Sequence, residues 1–463
     1  IQDDWAVNDK LTLNLGIRWD YEKAPQFLSY RTLQPIVDAV YAPTYVFNGQ
    51  TINHSYADSL AAGGVNIANY ISNGHNRRAP KNEFQPRVGF SYDLNADEQH
   101  VIFGGVGRAY DRNLFDVISL ENSKNALSEP SVYFENPTGL NACGPGMADN
   151  QSCFVWDPKY LNAANLQSLG SGVSEVDMIN NNIKAPYSDQ FSIGMRNKVG
   201  DWNTSATLSR IIQYNGIVGE LGNRYPNGKF YTYGTFNNQW GGAGVPGIGG
   251  LILFDNGKTT YNTQLLLSAE KPYTRESGWS MTIAYTHTHA TQNRLYSDGY
   301  AFDLPNIRDY PFQLSSAAPK HRLVVTGSVD VPWGITLAGK LTLATPTPVS
   351  AISCCNLYPN AVGAQHEMSA AWPVVGIPRG GRFLIGGPIF GYRDIDLQAS
   401  KNIPLGHGFV MQLRFDALNV LNFKNYADTA DFYTGAMYQP YYNKIGNIYG
   451  VPRTYKLTAD IKF

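Results

Sequence analysis

Apolar and polar residues alternate one for one along stretch after stretch of this sequence, and few folds tolerate such a pattern. From Leu11 to Tyr21 the odd positions are Leu11, Leu13, Leu15, Ile17, Trp19 and Tyr21, and the even ones are Thr12, Asn14, Gly16, Arg18 and Asp20. Phe409, Met411, Leu413, Phe415 and Ala417 alternate with Val410, Gln412, Arg414 and Asp416. The last residues repeat the pattern, with Tyr455, Leu457, Ala459, Ile461 and Phe463 on the apolar positions. Further stretches begin near Val88, Val101, Tyr187, Trp202, Tyr261, Trp279, Leu323, Ile335 and Ile395. Side chains that point to opposite faces at every step make a strand with one apolar and one polar face.

The connections narrow the choice further. Short turns at Val7–Lys10, Asn95–Gln99, Gly200–Asp201, Thr274–Gly278, Pro332–Gly334 and Pro404–Gly408 alternate with long ones over about 22–86, 111–186, 215–257, 290–319, 346–391 and 422–452. Long loops without regular structure are uncommon in compact domains. Here every second connection is long, so all of them fall at one end of the strands. A transmembrane antiparallel β-barrel has that asymmetry, with short periplasmic turns and long extracellular loops. An 11-residue strand rising about 3.3 Å per residue and tilted near 40° climbs roughly 28 Å, enough for an apolar band of about 25 Å.

The aromatic residues of the apolar positions fall near both strand ends. Trp202, Trp279, Phe409 and Phe463 lie toward the short turns, and Trp19, Tyr261, Tyr285 and Tyr455 toward the long loops. Two such girdles are expected where rings meet lipid headgroups. On the polar positions, Arg18, Asp20, Arg322, Arg414 and Asp416 are expected to face a wet lumen. A soluble β-sandwich or propeller also alternates, but it requires neither long loops at every second connection nor two girdles. We count about 13 strands, an odd number, whereas single-chain bacterial barrels close with an even one.

Composition agrees with this reading. The 463 residues hold 36 Lys and Arg against 37 Asp and Glu, a net charge of −1, which argues against a nucleic-acid partner. Tyr (30) and Gly (45) are abundant, as in β-rich proteins with polar loops. No apolar run reaches the roughly 18 residues of a transmembrane helix, and no signal peptide is evident. The chain opens on Ile1 rather than Met and inside a structured-looking stretch, so we read it as the C-terminal portion, over 1–463, of a longer barrel protein. Cys143 and Cys153 lie close together in a loop rich in Gly and Asn, and a disulfide between them is expected in an oxidising compartment. Adjacent Cys354 and Cys355 could bridge or stand as two thiols.

No catalytic or cofactor pattern holds. His366-Glu367 lacks the second histidine of a metalloprotease helix, and the Gly244–Gly250 run is not entered from an alternating strand. His287 and His289 share one strand face, but two ligands are too few for a metal. The chain therefore reads as a non-enzyme with neither cofactor nor metal. The stretches Phe230–Trp240 and Asp431–Asn443 mix aromatics with amides. Tyr231, Tyr233, Phe236, Trp240, Phe432, Tyr438, Tyr441 and Tyr442 are the candidate ligand contacts, since aromatic faces and amides suit sugars, peptides and aromatic chelates. The plainer alternative is that they pack the loops into a cover over the barrel.

Several segments resemble one family in order. IQDDWAVNDKLTLNLGIRWDYEKAP, FQPRVGFSYDLNADEQHVIFGGVGRAYDR, PYSDQFSIGMRNKVGDWNTSATLSRI, PKHRLVVTGSVDVPWG, LRFDALNVLNFKNY and PRTYKLTADIKF are similar to TonB-dependent outer-membrane receptors, most closely the Oar-like subgroup. The resemblance covers the strands but not the long loops. It implies a 22-stranded barrel in a bacterial outer membrane, with a plug domain and roughly nine strands upstream of Ile1. It also implies partners: the lipid bilayer, the TonB–ExbB–ExbD complex reached through the missing N-terminal part, and the barrel assembly machinery, which would read the terminal Phe463. The expected activity is import of a scarce solute such as an iron chelate, oligosaccharide or peptide. The alternatives are a surface adhesin or scaffold, or a protein-export barrel.

Overall fold

The computed structural model describes residues 1–111, 115–126, 133–134, 153–162, 164–165, 175–230, 245, 249–293, 300–301, 304–315, 317–345, 349–351, 374–376, 392–426 and 448–462. Thirteen strands follow one another around a single curved sheet: β1 (Gln2–Ala6), β2 (Leu11–Asp20), β3 (Glu83–Asp93), β4 (His100–Tyr110), β5 (Tyr187–Val199), β6 (Trp202–Leu221), β7 (Leu251–Lys271), β8 (Trp279–Gln292), β9 (His321–Val331), β10 (Ile335–Ala344), β11 (Arg393–Gly406), β12 (Phe409–Leu418) and β13 (Thr454–Lys462). Every strand pairs antiparallel with its sequence neighbour, so the fold is the meander that the alternation predicts. Three short strands join the sheet off this path: Val176–Ile179, Tyr300–Ala301 and Gln313–Leu314.

The registers fix which side chains share a face. Leu15 stands opposite Val88, Val88 opposite Val106, and Val106 opposite Phe191. Ile283 stands opposite Val325, and Val325 opposite Leu341. This face carries the large exposed hydrophobics, among them Ile17, Ile193, Leu208, Leu397 and Leu457. An apolar face of this extent needs a non-aqueous neighbour, and a lipid-facing band meets that need.

The short turns close as their sequences direct. Val199 pairs with Trp202, leaving Gly200-Asp201 as a two-residue turn in which Gly200 takes φ +58°, a value that glycine adopts without strain.

At the other end the structure departs from the sequence reading. The long connections are not structureless. β6 and β7, at 20 and 21 residues, run well past the girdle. Around their extensions pack helices α1 (Pro25–Leu28), α2 (Gln34–Tyr41), α3 (Tyr56–Ala62) and α4 (Phe115–Ala126), and the strand Val176–Ile179, parallel to β7. Ile36, Val40, Tyr56, Leu60, Met178, Leu251 and Leu253 form one buried cluster, and Phe27, Ile118, Ile179, Ile252 and Phe254 a second. The barrel thus carries a folded outer body with its own hydrophobic core.

Candidate functional site

Three surfaces could meet a ligand: the inner wall, the outer body, and the outer wall just beneath that body.

The inner wall is polar. Arg18 Nε donates to Asp20 Oδ1 at 2.8 Å, and Gln85 on the next strand donates to Asp20 Oδ2 at 2.6 Å. Arg414 repeats the pattern with Asp416 at 3.1 Å, and Gln398 donates to Asp416 at 2.6 Å. Residues two apart on a strand face the same way, so each Arg-x-Asp motif closes an ion pair within one strand. Arg322 shares this inward parity and is exposed, with no ion-pair partner among the described residues. Between β2 and β6 the wall forms a shallow concavity of about 570 Å³, lined by Asn14, Gly16, Arg87, Gly105, Gly107 and Ser192 among others. The glycines let another segment approach the backbone closely.

The outer body is held by buried polar contacts. Arg77, between α3 and β3, donates two bonds of 2.6 Å to Glu121 on α4, and both side chains are fully buried. Arg77 also donates to Asn181 Oδ1 and Ile179 O, and its guanidinium lies 4.6 Å from the Phe27 ring centroid. Glu121 accepts a further bond from the Ile179 backbone. Burial pushes the Glu121 carboxyl above its usual range, and Arg77 opposes that shift. Glu220, on the β6 extension, accepts from Ile307 N at 2.6 Å, and burial pushes its carboxyl up to about 7. Burial, with the nearby Glu175 carboxyl, pushes Asp177 up to about 8.

The outer wall beneath this body is unexpectedly charged. Arg108 and Asp189 are register partners on the lipid-facing parity, joined by bonds of 2.7 and 2.9 Å. The Arg108 guanidinium sits 4.3 Å from the Tyr187 ring centroid. Arg210, on the same face of β6, donates to Thr263 at 2.6 Å and lies over Tyr261. Between this wall and the overhanging segments 77–83 and 181–185 is a concavity of about 1000 Å³ whose lining includes Arg78, Lys81, Lys184, Tyr110 and Tyr187.

The described residues expected to form girdles make the following contacts. Trp202 and Trp279 meet at 6.0 Å near the short turns, the end that also bears Phe409. Toward the loops, Trp19 packs near Phe84, Tyr261 against Phe312, Tyr285 bonds His321 at 2.7 Å, and Tyr455 stacks on Phe415. His287 lies 4.9 Å from His321, ring to ring, on this outer rim. Among the described residues no group of three or more His, Cys, Asp or Glu could hold a metal ion. The ligand candidates Tyr231, Tyr233, Phe236, Trp240, Phe432, Tyr438, Tyr441 and Tyr442 lie outside the described residues, as do Phe463, Cys143, Cys354, Cys355 and the Cys143–Cys153 pairing.

Comparison with known proteins decides the class. A family model described as an outer membrane beta barrel domain matches residues 1–343. The chain belongs to this outer membrane β-barrel family. It is accordingly a protein of the bacterial outer membrane. No curated protein sequence matches it. Among solved structures, the outer membrane transporter YddB of Escherichia coli aligns over 98% of this chain and 42% of its own, at 12% identity and a TM-score of 0.50. The ferric enterobactin receptor PfeA of Pseudomonas aeruginosa aligns over 99% and 43%, at 11% identity and a TM-score of 0.45. The chain spans about two-fifths of the length of these two structures. At such identities the likeness concerns the fold alone.

Proposed function

We propose that this chain is the C-terminal part of the barrel of a TonB-dependent importer of the Oar-like subgroup, with the remaining strands and a plug domain contributed upstream of Ile1. The observation that carries the reading is the pairing of a polar, glycine-lined inner wall with a folded outer body. The wall suits a plug, and the body suits capture of a solute at the cell surface. YddB, whose fold the chain shares, is described as an outer membrane transporter. The aromatic and amide segments 230–240 and 431–443 are the proposed ligand contacts, and Arg18, Asp20, Arg322, Arg414 and Asp416 the proposed lumen charges. TonB–ExbB–ExbD would act through the upstream part and the assembly machinery through the last strand. No catalytic role is proposed.

The test is uptake. Cells lacking this gene, cells lacking tonB and wild-type cells are offered iron chelates, oligosaccharides and peptides. The importer reading expects uptake of one class to fall equally in both mutants. Unchanged uptake of every class, with cell or matrix adhesion lost, would replace it by the adhesin; unchanged uptake with a secreted protein retained would replace it by the export barrel.

A further inference from the structure

The concavity beneath the outer body has a chemistry that solute import does not use. It opens on the lipid-facing side of the wall, because Arg108, Tyr110 and Tyr187 all have that parity. It also sits at the headgroup level. The indole of girdle residue Trp19 donates to the backbone oxygen of Lys81 at 2.8 Å, tying that rim of the concavity to the membrane interface. The opposite rim is fixed as well: Lys184 N donates to Asn256 Oδ1 at 2.8 Å and Asn256 Nδ2 returns a bond to Lys184 O at 2.9 Å.

The charge is one-sided. Arg108 is matched by Asp189, and Arg77 by Glu121. Arg78 also borders a narrow cleft carrying Glu22 and Asp111, and Glu83 is shared by both. That leaves Lys81 and Lys184, both exposed and without an ion-pair partner among the described residues. Two exposed lysines at the membrane surface, in a recess of about 1000 Å³ also lined by Tyr110 and Tyr187, suit a phosphorylated headgroup better than a free anion, because acyl chains can run down the apolar wall below.

We propose that this recess binds the phosphate groups of an outer-leaflet glycolipid, with Lys81 and Lys184 as the phosphate contacts and Tyr110 and Tyr187 against the sugar. The site lies outside the barrel and does not depend on the transport reading. The test uses the full-length protein in nanodiscs, with lipid A as probe and bound lipid counted by native mass spectrometry. The double variant Lys81→Gln/Lys184→Gln is expected to bind bis-phosphorylated lipid A about 30-fold more weakly, each surface cation accounting for roughly fivefold. Dephosphorylated lipid A should bind wild type and variant alike. Lys401→Gln/Lys462→Gln, the same charge change toward the opposite end, should leave binding unchanged, and retained heat-modifiable migration shows that each variant is folded. Undiminished binding by the first variant would overturn the proposal. So would inorganic phosphate or glucosamine phosphate displacing lipid A at equal concentration, because the site would then be one for a soluble anion.

Discussion

At the scale of single residues, the parity of a strand decides what a side chain costs. Val324 and Val325 are chain neighbours on β9 facing opposite ways, Val325 between Ile283 and Leu341 on the lipid side, Val324 between Ala284 and Thr342 inside. Val325→Lys is expected to cost about 2–4 kcal/mol of barrel stability and Val324→Lys much less. Urea unfolding of the full-length protein in bilayers reads the difference, and equal losses would refute the assigned faces. The buried pair gives a second case. Arg77→Met would leave Glu121 buried without its counter-ion, a loss of about 3–5 kcal/mol when a buried pair is broken. Its effect should be confined to the outer body, seen as proteolysis within 21–82 and 175–186 while the barrel keeps its heat-modifiable migration. Glu220 supplies a pH dependence. Its folded form holds the proton up to about pH 7, against an ordinary value of 4.5, so the folded state carries more protons between those limits and stability falls as pH rises through them. Hydrogen exchange at 304–310, corrected for intrinsic rate, should be faster at pH 8 than at pH 5, and Glu220→Gln should abolish the contrast.

At the scale of elements, the strands were legible and the outer body was not. The alternation in Leu11–Tyr21 or Phe409–Ala417 is a local signal, complete within one segment, and the structure returns those strands within a residue or two. β4 shows the limit of that signal. In His-Val-Ile-Phe-Gly-Gly-Val-Gly-Arg-Ala-Tyr the glycines leave the parity open: Val101 is buried inward, while Ile102, Val106, Arg108 and Tyr110 face out. That is why Arg108 and Asp189 escaped notice, since charges inside strands are expected to face the lumen. The outer body escaped for a different reason. Its core joins Ile36, Tyr56, Met178 and Leu251, residues brought together across more than two hundred positions, and helices of four to twelve residues carry little periodicity of their own. The ligand candidates in 230–240 and 431–443 were chosen by composition, which gives no placement.

At the scale of the whole molecule, the sheet has two edges. Among the described residues β1 pairs only with β2, and β13 only with β12. Unpaired edges cannot face lipid, because each open N–H and C=O there costs several kcal/mol. Further strands must cover them, from the same chain or another. The proposal of an upstream half expects the protein purified from outer membranes to have an intact mass near twice 51.1 kDa. A mass near 51.1 kDa would place the missing strands on a partner chain.

The extended pair β6–β7 has a mechanical meaning. Its ladder runs unbroken from Asn203–Glu270 up to Gln213–Thr260, shifts register twice around Gly216, then resumes to Leu221–Ile252 inside the outer body. Asn215, with φ +57°, sits in that interruption. The body is therefore built in part on the same two strands that form the wall below it, with one interruption in their ladder between the two. A pull on the body is delivered through this strand pair straight into the barrel wall.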